Sequence, residues 1–166
     1  MTGADTAPGP GWQPAAALGE ALPVRLLRAR EAMMQFYRPL FRAAGLTERQ
    51  WRVLRALHDA GHLEPSEIAR QAFMHPPNVS RVLGELNKAG YLARRAVDGD
   101  QRRAQVSLTE SGMAVCAAVG RAIDDRTDAL RQVLDVADLA ALGRLLDIVI
   151  ELPDRYPGLA SGRADP

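Results

Sequence analysis

Two clusters of arginine stand where their surroundings ask for an explanation. The first is DGDQRR, Asp98 to Arg103, where two acids and two arginines surround Gly99. The flanking stretches YLARRAV and AQVSL alternate apolar and polar residues with period two, so the run reads as the tip of a β-hairpin. Guanidinium groups on a narrow, glycine-permitted turn can enter a DNA minor groove, where the negative potential is deepest. The second is Arg30, which shares a helical stripe with Met33, Met34, Tyr37 and Phe41 at steps of three, four, seven and eleven. An arginine buried in such a stripe is costly without an anion. A ligand carboxylate would satisfy it bidentately, with the thioethers and ring lining a place for an aromatic body. Trp51, Arg55 and His58 on the next helix, followed by His62, offer comparable chemistry. The bland alternative is that Arg30 pairs with an acid of a second copy and Met33 is ordinary core.

These residues need elements to hold them. The chain has 166 residues, of which 47% are apolar and 25% charged, enough for one ordinary core. The net charge of +1 hides an asymmetry. Residues 25–55 carry eight arginines against two acids, while residues 110–151 carry eight acids against four arginines, so a polyanion suits the front of the chain. The Pro/Gly-rich residues 1–19 and the stretch 153–166 read as flexible tails. A helix is expected from about Glu20 to Ala44, stopped by Gly45 and kinked or broken by Pro39 near Gln35–Arg38. Thr47 and Gln50 form a capping box that opens the next helix.

The sharpest grammar follows. PSEIARQAF (65–73) is a short helix, Met74 and His75 make a turn, and Pro76–Ala89 is a second helix turning Val79, Val82, Leu83 and Leu86 inward. Helix, turn, helix, hairpin is the order of a winged helix-turn-helix. The expected fold is therefore mainly α with a small β-hairpin, a winged helix-turn-helix over residues 46–108. The exposed start of the second helix offers Pro77, Asn78, Ser80 and Arg81, with Glu85 a turn further on. Asn78 can pair with an adenine edge and Arg81 with guanine or phosphate. Alternatively, Asn78 only helps to cap the helix and Arg81 pairs with Glu85. Thr109 and Asp135 open two more helices, the last carrying Leu139, Leu142, Leu145, Leu146, Val149 and Leu152. With residues 20–45, the 109–152 helices are read as a dimerisation module.

At this point the chain resembles a known family. Glu67–Ala69 (EIA), Val79–Arg95 (VSRVLGELNKAGYLARR) and DQRRAQVSLTESG are similar to the winged core of the MarR family of bacterial transcriptional regulators. The likeness covers residues 22–152, and Leu26–Leu57 resembles the branch governing catabolism of hydroxylated aromatic acids. The resemblance implies a homodimer on a pseudo-palindromic double-stranded operator, released by a small phenolic or carboxylate effector. It places Asp100 and Arg102 in a D-x-R wing pattern beside Arg103. It also places the ligand near the helices that carry Arg30 and Trp51.

Other classes have weaker signals. Cys116 is the one cysteine, so no disulfide framework forms within the chain, which suits a reducing compartment. It could sense oxidant, but lies among apolar residues. His58 and His62 have zinc-like spacing without a third ligand. No phosphate loop, nucleophile elbow or Ser/His/Asp set points to an enzyme or a cofactor. No secretory signal or membrane span is read, and a cytoplasmic protein is expected. A ligand-indifferent architectural DNA binder is the remaining rival.

Overall fold

The computed structural model describes residues 21–97 and 100–158, and along 95–97 and 100–104 it gives the backbone path. The chain divides into two units between Cys116 and Ala117. The first holds helices α1 (Leu22–Ala43), α2 (Glu48–Ala60), α3 (Pro65–Gln71) and α4 (Pro76–Lys88), strands β1 (His62–Leu63), β2 (Leu92–Val97) and β3 (Asp100–Leu108), and the start of α5 (Glu110–Arg131). The second holds the rest of α5 and α6 (Val136–Arg155). Among the described residues no helix is long and apolar enough to cross a membrane. The tail residues 1–19 lie outside the described residues, and of 153–166 only the first six are described. Pro153 and its neighbours continue α6 to Arg155 rather than forming a loose end.

Helix ends follow the sequence closely. Gly45, at φ 69°, lets the Leu46 N–H reach the Phe41 carbonyl (2.9 Å) and its own N–H reach Arg42 (3.0 Å), closing α1 as a Schellman turn. Gly90, at φ 77°, closes α4 in the same way, with Tyr91 donating to Leu86 at 3.1 Å. Thr47 and Gln50 make the expected reciprocal caps at 3.2 and 2.8 Å. Asp135 accepts from the Ala137 and Asp138 amides at 2.7 and 3.4 Å, opening α6.

The expected break at Pro39 does not occur, and α1 runs through it without interruption. Pro39 sits little more than a turn from the helix end. It and Gln35 are exposed, so water can take the one carbonyl that loses its partner.

The first unit has a dense core. Val53, Leu54 and Leu57 of α2, Ile68 of α3, Val79, Val82 and Leu86 of α4, and Val106 of β3 are fully buried. The expected two-stranded hairpin is a three-stranded antiparallel sheet of order β1-β3-β2, because His62 and Leu63 pair with Ser107 and Val106. A two-residue strand is too short to show alternation. It joins the sheet because Leu63 is buried. The motif LTESG then ties α5 to the end of α4: Thr109 and Ser111 hydroxyls donate to the Gly90 carbonyl at 2.7 and 2.9 Å. A Cβ on Gly112 would collide with the Tyr91 carbonyl oxygen, so only glycine permits this approach.

Candidate nucleic-acid interface and effector clefts

The α3–α4 pair is built by apolar spacing and by one arginine. Val79, Val82, Leu83 and Leu86 turn one face of α4 into the core, which leaves Pro77, Asn78, Ser80 and Arg81 exposed along the other. The Asn78 backbone N–H donates to the His75 carbonyl at 2.9 Å as the helix begins, and its side chain stands in solvent. Arg81 reaches Glu85 at 3.3 Å, an i,i+4 ion pair on the helix surface. Glu85 also accepts from Gln50 Nε2 at 3.0 Å, so the residue that caps α2 also holds the flank of α4.

Between the two helices the backbone turns at Phe73, which has φ 50° and is 83% exposed. Left-handed backbone at a residue bearing a Cβ costs on the order of 1–2 kcal/mol. Arg52, from α2, holds the turn by donating to the Ala72 and Phe73 carbonyls at 2.9 and 3.3 Å, while its Nε is buried with no partner among the described residues. Sequence reading missed both Arg52 and Phe73. Arg52 is one of eight arginines in a basic segment, and no glycine or asparagine marks the turn.

The wing is a bulged ribbon. Ala96 pairs with Ala104 and Val97 with Asp100, so Gln101, Arg102 and Arg103 bulge out between successive pairs. The arginines thus belong to a bulge in β3, not to the turn, where sequence reading put them. Residues 98–99 of the turn lie outside the described residues, as do the side chains of Asp100, Arg102 and Arg103.

The eight expected ligand contacts do not share one cleft. Arg30 lines a cleft of about 480 Å³ with Glu48, Arg49, Arg52, Arg81 and Glu85. Trp51 and Arg55 line a second, of about 270 Å³, with Arg52, Asp59, Gln71 and Phe73. His62 borders a third with Gly61, Gln105 and Ser107. Met33, Met34, Tyr37 and His58 line none of these three.

Arg30 also has counter-charges within its own chain. It is exposed, and it is paired with Glu31 at 2.6 Å and with Glu48. Arg38 completes the cluster, reaching Glu31 at 2.6 Å and Glu48 at 3.4 Å. Arg38 beside it holds the Glu31 carboxyl below its usual range. The counter-charge is thus intramolecular. Glu48, eighteen residues on, becomes a neighbour only when α2 folds back against α1.

The second cleft keeps more of the expected chemistry. Trp51 is buried and stacked on Phe41, with ring centroids 5.7 Å apart. Arg55 projects beside it and pairs with Asp59 at 2.7 Å. Arg55, and then His58 at 3.2 Å, lower the Asp59 pKa. Cys116 is buried, and burial pushes its thiol up to about 11. It is therefore protonated near neutrality, a poor state for reaction with peroxide.

A short helix, a tight turn, a second helix with a polar outer face and a bulged ribbon define a winged helix-turn-helix protein. A model of the MarR family matches residues 44–103. The HTH-type transcriptional regulator FarR of Neisseria gonorrhoeae is 34% identical over 79% of this chain and 90% of its own. The homoprotocatechuate degradative operon repressor of Escherichia coli is 32% identical over 69% of this chain and 75% of its own. The crystal structure of NadR in complex with 4-hydroxyphenylacetate is 33% identical, with a TM-score of 0.70, and the match covers 82% of this chain and 97% of that one. The chain belongs to the MarR family of transcriptional regulators.

Proposed function

We propose that the protein is a homodimeric repressor of aromatic-acid catabolism, released from a pseudo-palindromic operator by a small hydroxylated aromatic carboxylate. The observation that carries this reading is the cleft in which Trp51 and Arg55 meet the helix-turn-helix turn at Phe73. An aromatic ring fits the indole edge, and a carboxylate can replace Asp59 on the Arg55 guanidinium in bidentate geometry. NadR, a relative by sequence and fold, is seen with 4-hydroxyphenylacetate, a ligand of this chemistry. The E. coli relative represses a homoprotocatechuate degradative operon.

On DNA, α4 enters the major groove with Asn78, Ser80 and Arg81 toward base edges and phosphate. Arg81 exchanges Glu85 for DNA, and Pro77 keeps the helix start preorganised. The bulged wing carries Arg102 and Arg103 into the adjacent minor groove, with Asp100 orienting Arg102. The apolar face of α6 is covered by a second copy, which sets two recognition helices about 10 bp apart. Arg30 and Met33, Met34, Tyr37, His58 and His62 contribute to the effector site only where that second copy supplies a further wall.

The test begins with a duplex that the protein selects from random sequence. Fluorescence anisotropy then follows its release during titration with 4-hydroxyphenylacetate, hydroxybenzoate, hydroxycinnamate and 6-hydroxynicotinate. Release by at least one, with benzene-ring analogues lacking the carboxylate inert, supports the proposal. Release by none of them sinks it.

A further inference from the structure

The Trp51/Arg55 cleft has one wall whose position is hard to explain by folding alone. Phe73 leaves its ring 83% exposed, although it is a large apolar side chain. Its backbone lies at φ 50°, where side chains with a Cβ are disfavoured, and the turn is built without glycine. A residue that neither buries its ring nor suits its backbone contributes little to the core. Its place in the chain is instructive: the same residue borders the cleft and stands three positions before Pro76, where α4 begins.

We propose that Phe73 is the aromatic wall that closes on the effector and transmits its presence to the recognition helix. This rests on the reading of the cleft as the effector site. A hydroxylated aromatic carboxylate held by Arg55 presents a ring face to the exposed phenyl group, and aromatic rings attract in offset or edge-to-face geometry. Drawing the ring over the ligand turns the Phe73 backbone. That movement strains the bonds by which Arg52 holds the Ala72 and Phe73 carbonyls, at 2.9 and 3.3 Å. It also strains the bond from the Met74 N–H to the Ala69 carbonyl, at 2.8 Å. Arg52 borders the neighbouring cleft as well, beside Arg81 and Glu85 of α4, so the same displacement reaches a DNA-facing side chain. The ligand's differential affinity for the closed turn is what shifts the DNA-bound population.

The experiment separates DNA binding from response. Phe73→Asn keeps a residue that tolerates left-handed backbone and removes the ring, and Phe73→Tyr keeps the ring. Each is measured for affinity to the selected duplex, and for release by 4-hydroxyphenylacetate or whichever aromatic acid releases the parent protein. Phe73→Asn should bind DNA much as the parent does and need about tenfold more effector for half release, within the usual range of allosteric coupling. Phe73→Tyr should respond like the parent. Equal response of Phe73→Asn and the parent overturns the role of Phe73 while leaving the effector site standing. No response by the parent to any acid removes the effector reading itself. Should Phe73→Asn fail to fold, hydrogen exchange of the parent decides. A changed Met74 amide rate at saturating effector supports the proposal, and an unchanged rate overturns it.

Discussion

Helices α4 and α6 make an informative pair. Both are regular and well started, yet α4 places Val79, Val82, Leu83 and Leu86 in a core, whereas α6 buries no residue over its twenty positions. Leu142, Leu145, Leu146, Ile148 and Ile150 of α6 are exposed. The winged unit thus carries its own core, whereas α6 keeps an apolar face exposed among the described residues. Exposed apolar surface on this scale marks an interaction site. In the proposed assembly a second copy covers it, and the spacing of the two winged units depends on that partner.

Breaking the α6 side of that contrast should have the largest effect. Leu142→Glu combined with Leu145→Glu should yield a monomer in sedimentation velocity. Losing the linked second half-site should weaken operator binding by about 100-fold or more. A dimeric double variant would show that the face serves something else. Breaking the α4 side should act differently. Leu86→Ala in the buried core should cost about 2–5 kcal/mol in urea unfolding without changing the assembly state once folded.

Two finer predictions concern charged groups. Arg102→Ala should reduce the slope of log affinity against log salt by about one unit, since one phosphate-region cation is lost. An unchanged slope would mean that the bulge faces solvent. Asp59→Asn should strengthen effector binding about two- to fivefold by freeing Arg55 from an exposed pair. Calorimetry that finds weaker binding would assign Asp59 a supporting role instead. The pair has a definite pH sign: Asp59 titrates below its ordinary value, so what it adds to stability is present above that value and lost as pH falls through the lowered one.

The contrast also tracks what the sequence made legible. Caps and apolar spacing are local, so Thr47 with Gln50, Asp135, Gly45, Gly90 and the inward set of α4 were all readable. Strand β1 was not, because two residues carry no period. Glu48 was missed as a partner of Arg30 because it meets it only through tertiary folding, and α1 runs on through Pro39 where it and Gln35 are exposed to water. Of the expected ligand residues, Trp51 and Arg55 fall together because i,i+4 spacing places them on one helix face. Residues on α1 and β1 follow other faces. Phe73 gave no signal at all: a phenylalanine in left-handed backbone runs against every local preference.

The central claim is that two copies, joined through surfaces including α6, read one duplex together. Sedimentation velocity of the unmodified protein, alone and with the duplex it selects, tests this most directly. The account predicts a dimer in free solution and two chains on each duplex, whereas a monomer that binds one chain per duplex would contradict it.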